Sequence, residues 1–285
     1  MVRFRYYFIA VAVLLIAILL PHLPIFSIVL KTLDLNIYDN ILEVYNAFSY
    51  NEYEGVYDNI CIIDIDEKSI KDLGQFSSWP SLFFADLVNI LAEDKPLAIA
   101  FDIFFTESDS IKGYARKRLS SELTDITINP DKVMDKISTD DIFANAMEKA
   151  GMVYLAMFNS DYPSYTQDLP DKLISWNVQP KHYLELKYPV PPIPQFTRTA
   201  RGIGFANINP DITGKIHDYP LFLKHKRDMY VNFSMQLYLD LFGIDKIRLD
   251  RSCYFFSGNK KVSELPLSPD GLFYFKYYGP AKSFR

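Results

Sequence analysis

Four carboxylates, Asp64, Asp66, Glu67 and Asp102, carry the sharpest chemical signal in this chain. Asp64 and Asp66 stand two apart at the end of the run Ile60-Cys61-Ile62-Ile63-Asp64-Ile65-Asp66, and strand spacing points such residues to one face. Asp102 falls within a second apolar run, Leu97 to Phe105. Parallel strands would gather these groups near their C-terminal ends, where open α/β sheets hold ligands. Oxygen donors placed together suit a divalent cation or a cationic solute. A structural reading stands beside this one. Asp66 is placed to cap the helix that follows, Asp64 to accept from loop amides, and Asp102 needs a partner that a structural group can supply.

An Asp-x-Asp at a strand end also resembles phosphohydrolases with an aspartate nucleophile, but without their lysine and threonine motifs. A metal-dependent hydrolase using these aspartates is the alternative to a binding role. Trp79-Pro80-Ser81 offers an aromatic wall to a ligand, or packing that fixes a helix start. Arg201-Gly202-Ile203-Gly204 is too short for a phosphate loop and lacks the helix such a loop needs, so Arg201 points to an anion or a salt bridge. Asn207, Asp211 and Asp218 flank a turn that by itself accounts for Asp211. The candidate ligand-binding residues are Asp64, Asp66, Glu67, Trp79, Asp102 and Asn207. The four histidines are scattered without metal-type spacing, no serine or cysteine has a nucleophile context, and no cofactor is called for.

The elements that must position these groups follow from periodicity. The run 60–66 reads as a buried strand. Glu67 to Leu73 reads as a short helix ended by Gly74. Ser81 to Asp94 reads as a second helix, with Phe83, Leu87, Ile90 and Leu91 as its apolar stripe, stopped by Lys95-Pro96. With the strand 97–105 this makes a βαβ unit, whose strands should be parallel. A polar excursion over 108–137 precedes a helix capped by Ser138 and Asp141 and closed by Gly151, then a strand at Met152 to Phe158. The Pro-, Tyr- and Asp-rich stretch 161–194 reads as loop. Segments 204–209 and 215–223 flank Pro210-Asp211-Ile212-Thr213-Gly214 as a hairpin signal. A helix at Val231 to Phe242 and strands at Cys253 to Phe256 and Leu272 to Tyr278 complete the chain. The expected class is α/β: a mixed sheet with a parallel βαβ core and antiparallel hairpins, preceded by one transmembrane helix.

That helix is expected over residues 6–30. Arg3 and Arg5 precede an apolar run from Tyr6 to Leu20, which resumes after Pro21, His22 and Pro24; about 20 apolar residues span a bilayer. The leading arginines keep residues 1–5 in the cytoplasm and send the remainder outside the inner membrane. A cleaved signal peptide fits the arginines equally well, but bulky residues occupy the cleavage positions. A juxtamembrane helix (31–57) and an extracytoplasmic domain (58–285) follow. The net charge of −5 argues against a nucleic-acid partner; 22 Phe and 20 Tyr supply a sizeable core. Cys61 and Cys253 read as two buried free thiols, with a single long-range disulfide as the other option.

Two blocks carry a family resemblance. The runs CIIDIDEKSIKDLG, WPSLFFADLVNIL and KPLAIAFDIFFTE resemble the opening of the CHASE type 2 extracellular sensory domain, placing its motifs at Asp64, Asp66, Glu67 and Ser69, at Trp79 and Pro80, and at Asp102, Phe105 and Glu107. GFANINPDITGKIHDYPLFL is similar to its second block, and Leu35-Asn36-Ile37-Tyr38-Asp39 to the segment after its first membrane helix. The resemblance implies a sensory module of bacterial membrane receptors, coupled to an adenylate cyclase, histidine kinase or serine/threonine kinase. It implies a small-molecule or ion ligand, a membrane partner, and leaves room for a homodimer. The family's closing strand and later membrane helices are expected after Pro280 and do not appear in the sequence.

Overall fold

The computed structural model describes residues 7, 11, 13, 14, 24–48, 59–108, 139–208, 210–269 and 271–274. Its helices are α1 (Pro24–Phe48), α2 (Glu67–Leu73), α3 (Ser81–Glu93), α4 (Thr139–Ala150), α5 (Pro194–Thr199) and α6 (Phe233–Leu241). Its strands are β1 (Ile99–Phe101), β2 (Val153–Ser160), β3 (Leu184–Glu185), β4 (Tyr188–Val190), β5 (Gly202–Phe205), β6 (Asp218–Tyr219), β7 (Phe222–His225), β8 (Asp228–Val231), β9 (Lys246–Leu249), β10 (Ser252–Ser257), β11 (Lys260–Pro266) and β12 (Phe273–Tyr274). The class is mixed α/β, with parallel and antiparallel sheets. Two compact units divide the chain: one of Met1–Ile63, Asn209–Tyr219 and Tyr274–Arg285, the other of Asp64–Ile208 and Pro220–Phe273.

In the larger unit the parallel crossover is β1–α4–β2, with Ile99 opposite Val153. It is not the crossover that the sequence suggests. Residues 60–66 pair with no strand, and Ile60, Ile62 and Ile63 are about half exposed or more. An apolar run states a demand for burial; it does not name the surface that meets it. β5 lies along the other edge of β2, also parallel, with Tyr154 opposite Gly202. β4 pairs antiparallel with the last residues of β2. The two segments flanking the 210–214 turn therefore do not form a hairpin: β5 pairs with β2, and β6 is in a separate two-stranded sheet with β12.

α2 forms as expected, with Asp66 as its cap and Gly74 (φ 90°) at its end. The buried face of α3 is Ser81, Phe84, Ala85 and Val88, one residue round from the expected stripe; Ile90 is 65% exposed. Phe84 meets Phe101, Phe105 and Phe143 at ring-centroid distances of 6.0, 5.0 and 5.9 Å. These rings lie in the first core, with Met147, Leu155 and Phe196. Gly151 (φ 67°) ends α4 in the left-handed conformation, its N–H donating to Met147 O at 2.9 Å. A second core, including Met235, Leu239, Cys253 and Phe255, joins α6 to the antiparallel sheet β9–β10–β11. β3, β7 and β8 form a third sheet, with β7 and β8 joined by a tight turn in which Lys226 adopts φ 56°.

In the smaller unit α1 is unbroken over Pro24–Phe48, beginning earlier than the juxtamembrane helix expected over 31–57, whose last residues lie outside the described ones. The expected anchor, 6–30, lies largely outside the described residues; Tyr7, Val11, Val13 and Leu14 are helical and exposed. Among the described residues no helix is long and apolar enough to cross a membrane. The polar excursion at 109–137 and the Ser138 cap also lie outside them. Both cysteines are free: Cys253 is buried as expected, whereas Cys61 is exposed on the unpaired 60–66 segment.

Candidate functional site

One carboxylate oxygen of Asp66 is taken up by local structure. Its Oδ1 accepts from the Ser69 amide and hydroxyl, each at 2.8 Å. The amide, then the hydroxyl, hold its carboxyl below the ordinary range. Asp64 is exposed two residues before it, and Glu67 is exposed in the first turn of α2. β1 ends at Phe101, so Asp102 stands outside the strand and exposed, needing no buried partner. Among the described residues the side chains of Asp64, Glu67 and Asp102 make no hydrogen bond or ion pair. No three His, Cys, Asp or Glu side chains among the described residues are placed to hold a metal ion.

Trp79 packs as a helix-start residue. Its Nε1–H donates to Gly74 O at 2.8 Å, and its ring lies 5.5 Å from Phe76 and 5.9 Å from Phe83. Asn207 is a backbone clamp: Oδ1 accepts from Asn159 N at 2.7 Å, and Nδ2 donates to Asn159 O at 3.1 Å. Asn159 Oδ1 in turn accepts from Tyr188 N at 2.8 Å, which ties β4 to β2. Arg201 donates from Nε to Asp240 Oδ2 at 2.8 Å, the salt-bridge outcome of its two sequence readings. Asp240 also accepts from the hydroxyl of fully buried Tyr154. Burial, and then that bond, raise the Tyr154 pKa.

Two clusters lie outside the six candidate residues named from sequence. In the smaller unit His217 is 1% exposed between two carboxylates. Nδ1 is 2.5 Å from Asp211 Oδ2, and Nε2 is 2.6 Å from Asp39 Oδ1 on α1. A neutral imidazole has only one N–H, so donation to both carboxylates requires the imidazolium. Burial opposes that charge, but the bonds to Asp39 and Asp211 outweigh it and raise the His217 pKa. Asp39 is held low first by Lys215, whose Nζ donates to Oδ2 at 2.5 Å. For Asp211 burial pushes upward, but the Thr213 hydroxyl and amide, with His217, bring it down to about 2. Tyr38, one residue before Asp39, sets its ring edge-on to His217 at 6.0 Å. The turn reading explained Asp211 correctly, for Thr213 N donates to it at 2.7 Å. It overlooked His217 six residues on.

The second cluster, in the larger unit, is a cleft of about 620 Å³ between the 175–183 segment and the β7–β8 hairpin. Trp176, Val178, Tyr183, Lys224, Arg227 and Asp228 are among its lining residues. Trp176 N donates to Met229 O at 2.7 Å, which straps the segment to β8. Lys224 Nζ stands 5.2 Å from the centre of the Tyr183 ring. Sequence patterning gave no cue, since the segment lies in the stretch that reads as loop.

These sites can bind charge and hold elements together; neither pairs a nucleophile with a base. No curated protein and no solved structure matches the chain. The CHASE2 domain family matches residues 9–285, which includes the Asp64–Asp66 segment, the His217 cluster and the cleft. The chain therefore belongs to the CHASE2 domain family, a family of extracellular sensory domains.

Proposed function

We propose that this chain is the extracytoplasmic, ligand-sensing part of a bacterial transmembrane receptor, anchored through residues 6–30. The observation that carries the reading is the family match over 9–285. The charge-flanked apolar start of the sequence supports the anchor. A bound solute shifts the domain between two packings by no more than its differential affinity for them, and the shift passes to a cyclase or kinase output. Asp64, Asp66, Glu67, Trp79, Asp102 and Asn207 remain the candidates for contact with that solute, of which Asp64, Glu67 and Asp102 present exposed carboxylates.

The test is topological first. A reporter enzyme that works only outside the cytoplasm, fused after Arg285, is expected to be active, and a cytoplasm-only reporter at the same place silent. The reverse pattern overturns the reading. Next, Asp64→Asn and Asp102→Asn in a receptor carrying an output domain are expected to alter signalling at unchanged melting temperature. Loss of stability with an intact response would make those residues structural.

A further inference from the structure

We propose that the cleft between the 175–183 segment and the β7–β8 hairpin binds a small organic carboxylate with a flat apolar body. Its size lies within the range of small-molecule sites, which run from about 300 to 1,000 Å³. Such sites join apolar walls to a few placed polar groups. Here Trp176, Val178 and Tyr183 supply the walls, and Lys224 and Arg227 the charge.

The charge selects the ligand class. Two cations against Asp228 leave one positive charge on the lining, in a chain whose net charge is −5. Arg227 makes no hydrogen bond or ion pair among the described residues, and Lys224 faces the Tyr183 ring without a carboxylate partner. A free guanidinium fork matches a carboxylate in two-point geometry. One unbalanced positive charge favours a monoanion over a phosphate dianion.

The strap from Trp176 N to Met229 O ties the cleft wall to β8, which runs through Val231 to Asn232, the cap of α6. Closure of the hairpin on a ligand therefore has a route into the second core. Binding stands without the sensory reading; its meaning as a signal rests on that reading.

The full chain in detergent is titrated with benzoate, alongside benzamide, acetate and phenyl phosphate. Trp79→Phe leaves Trp176 as the only tryptophan, so its emission reports the cleft; calorimetry on the unaltered chain gives the same affinities should that variant be unstable. Benzoate is expected to act saturably in the millimolar range or below. Benzamide, acetate and the variant Arg227→Gln with benzoate are each expected to bind at least about tenfold more weakly, a difference titration resolves readily. No saturable benzoate signal, equal binding of benzamide, tighter binding of phenyl phosphate, or an unaffected Arg227→Gln overturns the proposal. An outward-facing chain with a silent cleft refutes the cleft alone, and benzoate binding by a cytoplasm-facing chain refutes the receptor reading alone.

Discussion

Removing the imidazole of His217 tests whether the smaller unit is held by a charged bridge. In His217→Gln the side chain can donate to one carboxylate, and Asp39 and Asp211, 24% and 10% exposed, are left facing each other across the place of an imidazole that is 1% exposed. Breaking a buried ion pair by deleting one partner costs about 3–5 kcal/mol. Both partners keep other donors, Lys215 for Asp39 and Thr213 for Asp211. The expected loss near pH 6 is therefore lower, about 2–3 kcal/mol.

The pH dependence separates this from a simple packing defect. His217 has a folded pKa above its ordinary 6.5, so its contribution is complete below 6.5 and is lost as pH rises through the higher folded value. One group of this kind changes stability by at most about 1.4 kcal/mol per pH unit. On the acid side Asp211, lowered from 3.8 to about 2, contributes about 2 kcal/mol that is lost as pH falls from near 4 through 2. Hydrogen exchange of α1 and the 210–219 segment in the full chain should show greatest protection between the two arms. His217→Gln should flatten the alkaline arm and leave the acid arm as a smaller remnant. Equal protection of the native chain at pH 6 and pH 9, or an alkaline arm of unchanged size in the variant, refutes the imidazolium bridge.

Three further outcomes follow from the packing. Gly204→Ala would place its Cβ 2.6 Å from Phe233 Cα, a backbone contact that no rotamer relieves; a loss of about 1–3 kcal/mol in thermal unfolding is expected, and a melting temperature equal to the native one contradicts it. Asn232 is 1% exposed, caps α6 through Met235 N at 2.8 Å and donates to Pro220 O at 2.9 Å. Asn232→Ala should thus cost about 1–3 kcal/mol in denaturant unfolding, and Asn232→Asp, which keeps the cap but sets a buried carboxylate oxygen against Pro220 O, at least as much. Burial pushes the Cys253 thiol up to about 12, while Cys61 is exposed. A maleimide at pH 7.5 should label one thiol per folded chain and two in denaturant; labelling of Cys253 in the folded protein would show that the second core opens.

Local signals were legible and long-range ones were not. Asp66, Gly74 and the Glu67–Leu73 helix came out as the sequence implies because the cap and the left-handed stop lie within eight residues of each other. Gly151 was legible for the same reason. The α3 stripe slipped by one position because Phe83 and Phe84 are equally apolar, and only the rings of Phe101, Phe105 and Phe143 decide which one turns inward. The strand expected at 60–66 shows the same limit. β-branched residues favour an extended chain, yet a strand exists only where another backbone accepts its hydrogen bonds. The sequence presents β5 as half of a hairpin because the turn beside it is real, while its partner, β2, lies some fifty residues earlier.

The candidate site divides along the same line. Asp66 and Trp79 are conspicuous through their neighbours in the chain, and such neighbours are also what occupy them: Ser69 on Asp66, Gly74 on Trp79; Asn207 instead takes its partner, Asn159, from 48 positions away. Asp39 and His217 are separated by 178 positions and are individually unremarkable. Both nonetheless lie inside segments that resemble the family, Leu35 to Asp39 and the block from Gly204 to Leu223. A motif block can therefore preserve a contact whose two halves never appear together in the sequence. On that argument the tyrosine, aspartate and histidine at positions 38, 39 and 217 form one unit, and the folding of the 210–219 segment depends on α1 being in place. Asp39→Ala should then release protection in 210–219 as fully as His217→Gln does, although no residue of that segment has been changed.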